Sequence, residues 1–268
     1  MRIGILLKVV PDVSQFKYDS ENHTLKRQGV KMIINPEDAY ALECALKLKD
    51  VNKDVIVETI TMGPTSTIPI LKDVLRRFVD KSILISDINF VGSDTWATSI
   101  ILSEYLKMAN YDLILGGTNT IDGDTGHVIN QVSQLMDIWS ISNVLEFNLN
   151  NQKELYFKAN INDKIIEACY KNSKKQCLML GLMIVGKKKL RYVRYNDLKL
   201  EVDDKLFIID NRILNINEKN IGINGSPTKV IKTFLPEYEK RTSQTYKVDE
   251  QGIDAVLSML KKVGMLDV

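Results

Sequence analysis

The residues best suited to chemistry stand in one stretch, Gly116–His127, which reads Gly-Gly-Thr-Asn-Thr-Ile-Asp-Gly-Asp-Thr-Gly-His. Gly116, Gly117, Gly123 and Gly126 let the backbone turn sharply and approach a ligand with no side chain in between. Asp124 and Thr125 are expected at a helix start, where free N–H groups and the helix dipole favour a phosphate. The acids Asp122 and Asp124 could instead hold a metal ion, and a glycine-rich turn closed by an Asp cap needs no ligand at all. On the residues alone these readings stay open. Other chemistry is scarce. Cys44, Cys169 and Cys177 share no CxxC spacing, and His23 and His127 are the only histidines, too few for a Cys/His zinc site. No Ser/His/Asp or Cys/His arrangement stands out, so no catalytic residue and no metal ligand is assigned.

The elements that must position this loop alternate in type. Ile3–Leu7 is a short apolar run that ends at Pro11-Asp12, and Phe16–Tyr18 with Thr24–Lys26 reads as a small hairpin. Asn35-Pro36-Glu37-Asp38 is a helix start: Asn as cap, Pro in the first turn, acids at the positive end. Val55–Met62 is the next strand, stopped by Gly63-Pro64, followed by a helix over Ile68–Val79. Ser82–Ser86 and Tyr111–Leu115 are further strands. Helices are expected over Asp94–Met108, capped by Ser93 or Asp94, and over Asp124–Met136. Continuous apolar strands separated by helices specify an open, mostly parallel α/β sheet with helices on both faces, Rossmann-like in type.

After about Ser140 the pattern changes. Val144–Leu149, Leu155–Ala159 and Ile165–Tyr170 suggest an antiparallel extension feeding a last apolar strand, Leu178–Val185. From Lys187 the chain reads as an irregular C-terminal arm with a basic stretch, a turn at Gly222–Pro227 and a helix within Gly252–Val263. Such a segment has too little periodicity to be its own domain and should pack on the sheet or on a partner. The expected division is a nucleotide-binding α/β domain over 1–186 and a partner-docking segment and arm over 187–268. Ligands of open α/β sheets bind beyond the carboxyl ends of the strands. The loops that matter are therefore Val9–Asp12, Met62–Ser66 and Gly116–His127. Ser226-Pro227-Thr228 offers hydroxyls, although turns of this composition are common on surfaces.

Composition excludes several classes. Among 268 residues, 36 Lys and Arg balance 34 Asp and Glu to a net charge of +2, far from the basic excess of a nucleic-acid binder. With 44% hydrophobic residues the chain is no disordered polyelectrolyte. No run approaches the roughly 18 apolar residues that cross a bilayer, so membrane insertion is not expected. Met1–Val10 is interrupted by Arg2 and Lys8 and reads as a strand, not a signal peptide. A reduced, cytoplasmic protein is expected.

Several motifs stand in order: Lys8-Val9-Val10-Pro11-Asp12, Asn35-Pro36 followed by Ala39–Glu43, Met62-Gly63-Pro64, Gly92-Ser93-Asp94-Thr95, Asp112–Gly116, Ile121–Thr125, and Gly225–Val230. Together they closely resemble the β subunit of electron-transfer flavoproteins over most of the chain. The resemblance implies a heterodimer whose α subunit carries a mobile FAD and which shuttles electrons between a flavin-dependent dehydrogenase, such as an acyl-CoA dehydrogenase, and an acceptor. It implies a β subunit without catalysis of its own that binds an adenine nucleotide: AMP in the simple carriers, a second FAD in bifurcating ones, where NADH is the reductant. The Asp-Gly-Asp-Thr form of the loop looks more like the bifurcating group. Carried over by position, the nucleotide site would use Val9, Asp12, Asn35, Met62 and Gly63, with Gly123, Asp124, Thr125, Gly126, His127 and Val128 around the phosphates.

The chain departs from the family at Val9, where Gln is usual, at Val13, at Thr118-Asn119-Thr120 and at Arg76–Asp80. His127 replaces a Gln and would make binding pH-sensitive. In the segment that docks on a dehydrogenase, Arg191 and Tyr192 are kept, Tyr195 replaces a small apolar anchor, and Glu201, Asp203 and Asp204 are acidic. An alternative with the same sheet is a stand-alone adenine-nucleotide-binding protein resembling universal stress proteins.

Overall fold

The computed structural model describes residues 1–15, 17–19, 24–26, 30–150, 154–171, 176–186, 188–228, 245–262 and 264–265. Strand β1 (Arg2–Leu6) is followed by the short strands β2 (Val9–Pro11), β3 (Lys17–Asp19), β4 (Thr24–Lys26) and β5 (Met32–Ile34) and by helix α1 (Pro36–Val51). Then come β6 (Ile56–Met62), α2 (Ile68–Leu75), β7 (Lys81–Ile85), α3 (Thr95–Ala109), β8 (Leu113–Gly117) and α4 (Val128–Leu135). The remaining strands are β9 (Trp139–Leu149), β10 (Leu155–Ile161), β11 (Lys164–Tyr170), β12 (Leu178–Leu182) and β13 (Leu206–Ile209), and the remaining helices α5 (Asn211–Leu214), α6 (Gly222–Gly225) and α7 (Glu250–Lys262).

Nine strands form one sheet in the order β11-β10-β9-β12-β8-β1-β6-β7-β13. From β9 to β13 every neighbouring pair is parallel, and β9-β10-β11 is the antiparallel extension. Side chains alternate across a strand, so β1 and the residue after it feed two cores. Ile3, Ile5 and Leu7 join Leu42, Leu46, Leu71 and Val74 of α1 and α2 on one face. Leu6, with Ile60 and Ile114, joins Ile101, Leu106 and Val132 of α3 and α4 on the other. The open α/β sheet with helices on both faces is thus present.

The chain divides into two compact units, Met1–Ile231 and Lys232–Val268. The second contains α7, whose start is tied by the Gly252 amide to Asp249 at 2.8 Å; Val263, the expected end of this helix, lies outside the described residues. The strands of the expected hairpin pair antiparallel, while Phe16 and the turn through His23 lie outside the described residues, as do Lys187 and Lys229-Val230.

Three local expectations are corrected. The helix expected over Asp124–Met136 begins at Val128, because Asp124 and Gly126 take φ of 47° and 65°, which no helix tolerates. The helix expected to run to Val79 stops at Leu75, and Phe78 turns the chain with φ 70°. The segment after 187 is not wholly irregular: β13 adds to the sheet edge beside β7, with Phe207 opposite Ile83. Its short apolar run, Leu-Phe-Ile-Ile, is masked in the sequence by charged neighbours.

Candidate functional site

The chain runs β1, β6, β7 in one direction and then crosses back to place β8 on the other side of β1. That reversal opens a crevice beyond the carboxyl ends of β1 and β8, where open sheets bind ligands. A cavity of about 680 Å³ lies there, lined by loops that follow β1, β6, β7 and β8. Its floor is apolar: Leu6, Ile60, Ile85, Phe90, Leu102 and Ile129. Its rim carries Lys8, Ser86, Ser93, Thr98, Thr120 and His127. A flat apolar ring fits such a floor, and an anion fits the rim, where the first amides of α4 have no partner within the helix.

The start of α1 holds the rim in place. Asn35 is wholly buried and does not cap the helix with its side chain. Its Nδ2 donates to the Asn119 carbonyl at 2.9 Å, and its Oδ1 accepts the Ile121 amide at 3.2 Å. The Asp38 carboxylate accepts the amides of Lys8 and Gly117, each at 2.7 Å, and so joins the exits of β1 and β8. Glu37 accepts the Asn119 amide at 2.7 Å. Burial pushes the Asp38 carboxyl up to about 7, against the opposing pull of those two amides; burial also raises Glu37. Gly117 has to be glycine here, because a Cβ would stand 2.6 Å from Glu37 Cβ and 2.7 Å from Asp38 Oδ1.

Lys8 Nζ meets Asp122 at 2.8 Å, an ion pair that bridges the first and fourth loops. Burial raises the Asp122 carboxyl, but Lys8 and Thr120 outweigh it and leave it below the usual range. Asp122 is therefore committed to a lysine, and among the described residues no group of three or more His, Cys, Asp or Glu could hold a metal.

Of the residues expected at the site, Met62, Gly63, Gly123, Thr125, Gly126, His127 and Val128 line the cavity. Val9 pairs with Ile34 in a two-stranded sheet, and Asp12 accepts the Ser14 amide and hydroxyl at 3.1 and 2.6 Å; neither is a lining residue. Asn35, buried, and Asp124, exposed, are not lining residues either. Asp124 and Thr125 do not open a helix, as expected of them; His127 is the residue before α4. Gly126 needs its left-handed φ, and a Cβ on it would meet Asn119 Oδ1 at 2.6 Å, whereas Gly123 has open space around it. Sequence reasoning passes over the exit of the third parallel strand. Ser86, Asp87 and Gly92–Thr95 supply a whole wall, and the signal for it is Gly-Ser-Asp-Thr before a helix. Lys8 and Asp38 are also missed, Asp38 because a helix-start acid is ordinarily exposed.

In the segment expected to dock on a partner, the Arg191 guanidinium is held by Glu43 at 3.0 Å and Asp50 at 2.7 Å. The Arg191 amide also donates to Glu43, and its carbonyl accepts Arg77 Nε at 2.9 Å. These bonds to Asp50 and Glu43 keep Arg191 charged well beyond its usual range. Tyr192 and Tyr195, by contrast, are 81% and 87% exposed.

Sheet order, cavity and glycine-rich loop define an open α/β protein with a crevice at its switch point. Residues 22–180 match the electron transfer flavoprotein domain. The chain is 32% identical to the caffeyl-CoA reductase-Etf complex subunit CarD of Acetobacterium woodii, over 88% of each chain. It is 32% identical to the electron transfer flavoprotein subunit beta of Thermoanaerobacterium thermosaccharolyticum, over 90% of each. It is 31% identical to the acryloyl-CoA reductase electron transfer subunit gamma of Anaerotignum propionicum, over 97% of this chain and 98% of that one. The chain belongs to the electron transfer flavoprotein family, as a subunit of the β type. No helix among the described residues is long and apolar enough to cross a membrane.

Proposed function

We propose that this chain binds an adenine nucleotide, FAD or AMP, in the switch-point cavity and works as one half of a heterodimer with an electron-transfer flavoprotein α subunit. The pair carries electrons between NADH or a flavin-dependent dehydrogenase and an acceptor. The observation that carries this reading is the cavity itself, whose apolar floor and amide- and hydroxyl-bearing rim suit a purine joined to phosphate. The residues that would hold the nucleotide are Met62 and Gly63 on one side and Gly123, Thr125, Gly126, His127 and Val128 on the other. When bound, a flavin supplies the redox chemistry, and the protein sets its position and surroundings. The chain's own part is to orient the ring against Leu6, Ile60 and Ile129, to keep water from that floor, and to meet the phosphates with backbone amides.

The exposed pair Tyr192 and Tyr195, braced from behind by Arg191, is the proposed contact with a dehydrogenase. Relatives named for caffeyl-CoA and acryloyl-CoA reductase complexes support a role beside an acyl-CoA-type flavoenzyme. A cytoplasmic location is part of the same proposal. Co-expression with the α subunit, release of ligands and counting of flavin and AMP per heterodimer tests the reading: two flavins, or one flavin plus AMP, is expected. A colourless pair that takes up neither after soaking would refute it.

A further inference from the structure

The loop between Gly92 and Thr95 forms one wall of the cavity, and its other side is held by residues from far along the chain. The Asp94 amide donates to Ser226 Oγ at 2.8 Å, and the Ser226 hydroxyl donates to the Gly222 carbonyl at 2.6 Å. The Gly222 amide donates to Ser93 Oγ at 3.1 Å, and the Thr228 amide to Asp94 Oδ2 at 2.9 Å. Ser226 is only 6% exposed. Two glycines make the approach close enough: Gly92 at φ 77°, where a Cβ would overlap Ile223, and Gly222 at φ 60°, where it would overlap the Asn89 carbonyl. Asn89 and Asp87 add ties to Glu218 and to the Asn211 amide, at 3.3 and 2.9 Å. None of residues 221–228 is among the lining residues of the cavity.

We propose that Ser226 and Asp94 are positioning residues that strap 221–228 across the back of the Gly92–Thr95 wall, so that retention of a nucleotide depends on a segment that does not touch it. The proposal rests on the cavity being the nucleotide site. Asp94 has two separable jobs. Its Oδ1 accepts the Trp96 and Ala97 amides, both at 3.0 Å, and caps α3, while its Oδ2 accepts Thr228. Asparagine caps a helix as well as aspartate does, but its Nδ2 cannot accept an amide. Asp94→Asn therefore keeps the helix start and removes the Thr228 tie of the strap. Ser226→Ala removes the hydroxyl on which the Asp94 and Gly222 bonds converge.

The test uses the α/β heterodimer with labelled AMP and FAD as probes, following release by dilution, together with hydrogen exchange of the amides over 90–97. Both variants are expected to release the bound probe about tenfold faster and to lose exchange protection over 90–97, with the global melting temperature within a few degrees of the parent. Unchanged release rates in both variants of a nucleotide-containing pair overturn the strap alone. Release that is faster only in proportion to global unfolding also overturns it, since a wall loosened locally need not unfold the rest. An unaltered pair that binds neither probe overturns the cavity reading itself, and exchange at 90–97 then reports on the strap independently.

Discussion

Gly123→Val separates the ligand from the fold more cleanly than any other change in the fourth loop. The backbone of Gly123 lies outside the left-handed region, and an added Cβ meets only Thr120 Oγ1, at 3.9 Å. Valine there should alter folding stability by no more than about 0.5 kcal/mol, as surface changes without clashes do. The same position lines the cavity, so three added carbons would occupy the space through which, on the proposed reading, phosphate oxygens reach the backbone. Hydrogen bonds to charged groups contribute about 1.5–3 kcal/mol each. Displacement of a phosphate from one or two such amides should weaken binding by about 3 kcal/mol, on the order of a hundredfold in Kd. Gly117→Ala is the contrasting control. Its Cβ would press at 2.6–2.7 Å on Glu37 and Asp38, both fixed by backbone amides, and overpacking of this kind costs about 1–3 kcal/mol of stability. The assay is nucleotide content of the purified heterodimer after dialysis, read beside thermal unfolding. A Gly123→Val pair that keeps its nucleotide in full at an unchanged melting temperature would refute placement of this loop at the ligand.

Two further outcomes are expected. With burial pushing its carboxyl up to about 7, Asp38 should keep a proton in the folded state to about that pH, whereas the unfolded chain loses it near pH 3.9. Stability contributed at this site therefore falls as pH rises between about 4 and 7, by ~1.4 kcal/mol per pH unit and about 4 kcal/mol in all, and then levels off. Denaturation of wild type and Asp38→Asn at pH 5 and pH 8 should give stability differences that change by about 3 kcal/mol. Parallel curves would mean that the Lys8 and Gly117 amides keep the carboxylate ionised throughout. Arg191→Ala should leave the sheet intact but take the guanidinium from Glu43, which is only 9% exposed and would keep only the backbone amide of residue 191, at a cost of about 2 kcal/mol or more. Limited proteolysis should then cut near Tyr192 and Tyr195 at least tenfold faster, and unchanged cleavage would show that Arg191 does not brace the segment.

Much of the architecture is legible in the linear pattern. Apolar runs such as Ile3–Leu7 and Leu113–Leu115 need cover on both faces, which forces helices onto both sides of a parallel sheet. Asp94 stands out as a cap, and the glycine-rich stretch as a turn, because both signals are local: a side chain reaching two amides ahead, and backbone freedom at a glycine. The family, too, can be read from the chain alone, in seven motifs that keep their order from Lys8 to Val230.

Tertiary structure decided the rest, for one physical reason: pairings between residues a hundred positions apart leave no periodic trace in the chain. Asn35 resembles a helix cap in the sequence, yet its wholly buried side chain turns to residues 119 and 121, which only the fold brings beside it. Gly126, not Gly123, carries the conformational demand of the loop, set by where Asn119 happens to lie. The strap from Gly222 to Thr228 is invisible in the sequence, since serine and threonine near a proline read as surface turn until the fold brings Asp94 against them. Local stereochemistry determined which elements form; the packing of distant loops at the switch point determined which of their residues meet.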